Sequence, residues 1–281
     1  MSEQVLPAWS EPFVGDRRRI ARLPPLDRID REWAWGGSTG AGVTVAIVDS
    51  GVEGGHPAIG DRLVASYRVE PPADPDADPE VVPDLDGVDV VGHGTACAGI
   101  IHELAPEAEF VSIRVLGPDN RGKGTVFAAG LAFAIEQRFP IVNLSLSSKS
   151  EALFGHFHEL ADRAYFAGIL LVSAANNVAG ASYPSLFSSV VSVAAHDLSD
   201  PWSYFHNPAP PVEFGARGLD VLVAWRDGGE IVASGNSFAA PHIAGIAALI
   251  RARHPGLRPF ELKAVLAACA TPVPPDGSGT G

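Results

Sequence analysis

Short apolar, β-branched runs recur along the chain at residues 43–48, 110–116, 141–146, 169–173, 190–194 and 221–224. They lack the polar alternation of a half-solvated strand, so each predicts a strand buried on both faces. Segments of helical length lie between or after them, at residues 93–104, 125–138, 151–166, 237–253 and 259–269. Strands alternating with helices predict βαβ units, and hence an α/β fold whose mainly parallel central sheet is covered by helices on both faces. In such folds ligands sit at the carboxyl ends of the strands.

Composition narrows the picture. The 281 residues are 46% hydrophobic and 19% charged, with no break in texture that marks a second domain. A chain of this size buries roughly three quarters of its unfolded surface and needs no covalent staple. Its two cysteines, Cys97 and Cys269, therefore predict no disulfide framework. Twenty Lys and Arg against 33 Asp and Glu give a formal charge of −13, which argues against nucleic acid and anionic membranes as partners. The longest apolar stretch, residues 164–175, is interrupted by Gly168 and falls short of the roughly 20 residues that span a bilayer. The first 40 residues hold no signal-peptide core, so the expected location is cytoplasmic, or secreted if a native N-terminal extension has been removed. Residues 71–89 carry Asp74, Asp76, Asp78, Glu80, Asp84, Asp86 and Asp89 without a basic residue, which reads as a solvated loop, with a cation site as the alternative.

Three segments place a reactive side chain beside small residues where elements meet. Asp49 directly follows a buried strand, where a carboxylate needs a partner or caps a turn. His93 opens a helix within Gly92-His93-Gly94-Thr95, and the flanking glycines make room for a substrate backbone or a neighbouring element. Ser237 stands at the start of another helix, as a cap or as a nucleophile favoured by the positive end of the helix. A serine nucleophile needs a base, and an imidazole base needs a carboxylate to fix its tautomer. The chain supplies all three in the order Asp, His, Ser.

With Val45-Ala-Ile-Val-Asp49-Ser-Gly-Val52, His93-Gly-Thr95 and Ser237-Phe-Ala-Ala-Pro-His-Ile-Ala-Gly245, the sequence resembles the subtilisin-like serine peptidases, or subtilases. The resemblance runs from about Leu26 to Cys269. It implies a three-layer subtilisin-like fold over residues 26–281 after a short extension at 1–25, with the C-terminal end incomplete by the family's measure. It further implies a serine endopeptidase in which Asp49 orients, His93 is base and acid, and Ser237 attacks the peptide carbonyl. The family's oxyanion asparagine maps to Asn177, with Asn176 as the alternative because it occupies the place of a preceding glycine. Asn143, Ser145, Leu146 and Ser147 map to the strand that pairs with peptide substrate by β-augmentation. No cofactor is implied for the chemistry. A structural calcium is an expectation, weakened because Ala58 stands where many relatives have a calcium-binding Asp.

Departures from the family pattern set further expectations. Ser147 and Ser148 replace glycines and should narrow the cleft, while Asn236 and Phe238 replace the usual Thr and Met beside the nucleophile. The expected partner is a peptide or protein substrate, in a specific precursor-processing role, and the alternative is a peptide-binding scaffold with little turnover. Cys97, one helical turn after His93, reads as a packed small residue.

Overall fold

The computed structural model describes residues 24–72, 74, 77–209 and 211–273. The rest of the expected N-terminal extension, Asp76 of the acidic run and most of the expected frayed tail lie outside the described residues. The central sheet has nine strands in the order β3-β2-β4-β1-β5-β6-β7-β9-β8. These are β1 (Thr44–Asp49), β2 (Leu63–Glu70), β3 (Glu80–Pro83), β4 (Glu109–Arg114), β5 (Ile141–Leu144), β6 (Leu170–Ala174), β7 (Val191–His196), β8 (Tyr204–His206) and β9 (Phe214–Arg217). Every pairing from β2 across to β9 is parallel, and only the edge strands β3 and β8 run antiparallel. The expected α/β architecture is therefore the observed one.

Alternate residues of β1 feed two cores, as a pleated strand between two layers must. Val45 and Ile47 belong to the core formed with helices α1 (Arg31–Trp35), α2 (His93–Leu104), α5 (Asn236–Arg253) and α6 (Pro259–Ala268), whereas Ala46 and Val48 face α3 (Gly124–Glu136) and α4 (Phe154–Ala167). Helix α5 is buried continuously from Phe238 to Arg251. A helix apolar all round belongs inside a protein, and its small residues let neighbours approach. At Gly245 an added Cβ would lie 3.1 Å from the Leu104 side chain of α2.

Several elements depart from expectation. The strand expected at residues 221–224 forms as β10 (Val221–Trp225), but it pairs only with β11 (Gly229–Ala233) in a separate antiparallel hairpin. Leu222 and Val232 face solvent across that hairpin, which packs on α2 and Phe238 through its other face. The acidic run is not simply a solvated loop. It contains β3, paired through Val81 and Val82 to β2. It also turns Asp84 inward, onto Arg114 at 2.9 Å and Arg68 at 3.5 Å.

One buried group predicts acid sensitivity. His242 in α5 donates through Nδ1 to Phe238 O at 2.9 Å, and its buried Nε2 has no partner among the described residues. Burial pulls its pKa down from 6.5 to about 4. The folded state then favours neutral imidazole, so stability is complete above about 6.5 and is lost as pH falls toward 4, by ~3 kcal/mol in total. Urea unfolding at pH 7 and pH 4 should show His242→Gln gaining about that much on the wild type at the lower pH. A constant difference between the two proteins would contradict this assignment.

Candidate active site

The strand order places the cleft. From β1 the chain steps to one side through β2 and β4, then crosses to the other side at β5. Loops leaving β4 and β5 consequently part at the carboxyl end of β1, the position where open α/β sheets bind ligands. Asp49 is the last residue of β1 and is fully buried. His93 is the first residue of α2, and its Nδ1 lies 2.8 and 2.9 Å from the two Asp49 carboxylate oxygens. Asp49 Oδ1 also accepts from Ser50 N at 2.7 Å. Burial pulls the His93 pKa down, but the Asp49 charge, its hydrogen bond and the more distant Asp89 charge outweigh it, so the net shift is upward. A carboxylate at Nδ1 holds the imidazole proton there and leaves Nε2 as the acceptor nitrogen.

Glycine at 94 has a packing reason. A Cβ there would fall 2.0 Å from Gly51 O and 3.2 Å from Asp49 Cβ, so α2 could not come close enough to set the imidazole on the carboxylate. Of the two uses expected for these glycines, the observed one at Gly94 is the approach of a neighbouring element.

Asp89 completes this junction and was not legible as a site residue. It is buried and accepts from Ser50 Oγ (2.7 Å), Val91 N (3.0 Å), Gly92 N (2.7 Å), Thr95 N (2.8 Å) and Thr95 Oγ1 (2.7 Å). One carboxylate thus caps α2 and ties it to the residue after Asp49. Its spacing before Gly92-His93-Gly94-Thr95 was the available signal, masked by the surrounding acidic run. Asp89→Ala strands five donors, four of them buried, and should cost on the order of 3 kcal/mol in urea unfolding, with lowered activity in the same preparation. An unchanged midpoint would refute the clasp.

Ser237 is the second residue of α5 and half-buried. Pro241 stands four residues on and has no N–H to give, so the Ser237 carbonyl is released from the helical ladder. Ser145 Oγ donates to that carbonyl at 2.7 Å, and Asn143 Nδ2 donates to Ser145 Oγ at 3.0 Å. The nucleophile candidate is therefore pinned from β5. Cys97 Sγ lies behind it, 3.8 Å from Ser237 O and 3.9 Å from Asp49 Oδ2. Burial and the Asp49 charge push that thiol's pKa well up, which keeps it a neutral packed group. Asp49, His93 and Cys97 offer metal-type ligand atoms within 4.8 Å of one another. Two of them are already bonded to each other and the third is protonated, a poor donor set for an ion.

Of the two asparagines at the end of β6, Asn177 faces the nucleophile. Its Oδ1 accepts from Asn236 N at 2.9 Å, which leaves the Nδ2 hydrogens free to donate. Asn176 Oδ1 instead accepts from Val178 N at 2.8 Å, within its own turn. Asn236 bridges the neighbouring strands, its Oδ1 accepting from Ala195 N at 2.9 Å and its Nδ2 donating to Ala175 O at 3.1 Å. Among the described residues Ser237 N–H has no acceptor within the chain, as expected in the first turn of a helix. Asn177 Nδ2 and Ser237 Oγ would each lie 3.4 Å from a Cβ on Gly235, so the asparagine amide stands beside the serine hydroxyl.

His93, Ser145, Leu146, Ser147, Ser148, Ala175, Asn177 and Ser237 line a common cleft of about 460 Å³. Beyond Leu144 the chain leaves the sheet, and at Ser148 it is bridged to Tyr183 by two 2.8 Å hydrogen bonds. Among the described residues, Ser145, Leu146 and Ser147 between these points make no backbone hydrogen bond outside the sheet ladder.

The subtilase family model matches residues 40–280. The chain belongs to the subtilase family. It is 31% identical over 255 residues to an intracellular serine protease of Paenibacillus polymyxa, covering 85% of this chain and 76% of that one. It is 29% identical over 235 residues to thermitase of Thermoactinomyces vulgaris, covering 79% and 80% respectively. A solved cold-adapted subtilisin-like serine proteinase superposes with a TM-score of 0.67 at 29% identity, over 86% of this chain and 89% of that one. The protein is accordingly a subtilisin-like serine endopeptidase acting on peptide or protein substrates. No described helix is long and apolar enough to cross a membrane.

Within this subtilase site one expected substrate contact moves. Asn143 is fully buried within β5, paired in register with Ile47 of β1 and Val172 of β6, so its backbone presents no free edge. It acts through Ser145 instead. Ser145, Leu146 and Ser147 remain in the cleft.

Proposed function

We propose that this subtilase cleaves internal peptide bonds through Asp49, His93 and Ser237. Ser237 Oγ attacks the carbonyl carbon while His93 Nε2 takes its proton, and Asp49 steadies the imidazolium through Nδ1–H. Charge developing on the carbonyl oxygen meets Asn177 Nδ2–H and Ser237 N–H. Collapse of the tetrahedral species breaks the C–N bond, the amine leaves with the proton from Nε2, and water then releases the acyl group by the same steps in reverse. The observation that carries this reading is the doubly bonded Asp49–His93 pair, buried at the end of β1 in the cleft that also holds Ser237.

Substrate lies along residues 145–147 as an added strand. The Ser147 and Ser148 side chains in the cleft support selective processing of a precursor over general digestion. A cytoplasmic setting belongs to the same reading, supported by two buried free cysteines and by the name of the Paenibacillus relative. The peptide-binding scaffold reading would require a site unable to turn over.

The test is cleavage of an unfolded protein substrate across pH. Catalysis needs neutral Nε2, and the His93 pKa is raised above 6.5, so kcat/KM should rise with pH through a midpoint above that value and then level off. Internal cleavage that Ser237→Ala abolishes supports the reading. Binding of intact peptide without cleavage favours the scaffold.

A further inference from the structure

Among the described residues, Arg121 is the one permanently charged side chain lining the cleft that holds His93 and Ser237. A second depression of about 270 Å³ adjoins it, sharing Leu116, Arg121 and Gly122. Arg68, Arg114 and Lys123 also line this depression, and no described Asp or Glu does. Arg68 and Arg114 are neutralised by Glu70 and Asp84. Among the described residues neither the Arg121 guanidinium nor the Lys123 ammonium has an ion-pair partner.

The loop is organised to present that guanidinium. Arg121 O accepts from Gly117 N at 2.8 Å, which closes a turn, and Arg121 N donates to Asp119 Oδ1 at 3.2 Å. The nearest acid in sequence thereby holds the loop backbone and forms no ion pair with the guanidinium among the described residues. Lys123 also lines a depression with Asp78, Glu80 and Glu136, so Arg121 is the cation left to face the substrate cleft in a chain of formal charge −13. A guanidinium fork matches a carboxylate in geometry as well as charge.

We propose that Arg121 is a specificity-determining residue that selects a Glu or Asp side chain on the peptide segment lying between residues 145–147 and the loop at 117–123. The inference rests on the endopeptidase reading above. It adds a charge preference that neither the triad nor the Ser147 side chain supplies.

The experiment digests a proteome-derived peptide library with the full chain and locates cleavage sites by mass spectrometry, beside Arg121→Gln and Arg121→Glu. Acidic residues should be enriched at one fixed position relative to the cut. Matched Glu and Gln peptides should then differ by about 3- to 10-fold in kcat/KM, less at high salt. The preference should vanish in Arg121→Gln and turn toward Lys or Arg in Arg121→Glu. Cleavage without acidic enrichment at any position, or enrichment unchanged in both variants, would overturn the proposal and leave the endopeptidase reading standing. No cleavage of any library peptide would overturn both.

Discussion

Asp49→Asn is expected to lower kcat by about 10⁴-fold while the protein remains folded. Both Asp49 oxygens now face His93 Nδ1, at 2.8 and 2.9 Å, and Oδ1 also holds Ser50 N. An amide of the same shape can keep the Ser50 bond through its oxygen. Its NH₂ then faces Nδ1 and demands an acceptor there, which moves the imidazole proton to Nε2. The base becomes a donor aimed at Ser237. Loss of the charge also removes the largest upward influence on the His93 pKa, so the residual activity should appear at lower pH than in the wild type. Steady-state kinetics with circular dichroism on the same samples checks both points. A loss below about 100-fold would mean that Asp49 does not set the tautomer.

Asn177→Ala is the second large effect, about 10²- to 10³-fold in kcat with KM little changed. That magnitude is the one found for the matching donor of a subtilisin. The pattern of effects is particular to this site. Both asparagines line the cleft, but Asn177 is bonded to the residue before Ser237, and its Nδ2 and Ser237 Oγ would each lie 3.4 Å from a Cβ on Gly235, whereas Asn176 holds Val178 N, so Asn176→Ala should cost only a few-fold. A larger loss at Asn176, or a change confined to KM, would assign the oxyanion donor differently.

How far the sequence reached depended on what each residue had to satisfy. The strand over Thr44–Asp49 and the helices opening at His93 and Asn236 were legible, because a doubly buried strand must be apolar throughout and closely packed helices must be small-sided. Strand β2 escaped notice because Arg68 and Glu70 interrupt its apolar pattern, and they are tolerated because the strand lies near the edge and Arg68 meets Asp84. Strands β8, β9 and β11 are three to five residues long and take their shape from partners distant in sequence.

The same limit applies within the site. Asp49, His93 and Ser237 each sat in a locally recognisable setting, but the spacing of Asp89 before Gly92-His93-Gly94-Thr95 was masked by the acidic run around it. Four of its five donors, from Val91, Gly92 and Thr95, lie within six residues, and only Ser50 Oγ comes from a distant part of the chain. The bond from Ser145 to the Ser237 carbonyl likewise exists only because Pro241 frees that carbonyl in space. Asn143 looked like an edge residue on resemblance to the family, and only the register with β1 and β6 shows its edge to be occupied.

All of the chemistry above requires Ser237 to be a nucleophile activated by His93. Intact-mass measurement after incubation with a fluorophosphonate reads that out, with Ser237→Ala and His93→Ala treated alongside. A single adduct is expected on the wild-type chain and none on either variant. A folded wild-type chain that takes up no reagent, or an adduct that persists in Ser237→Ala, would contradict it.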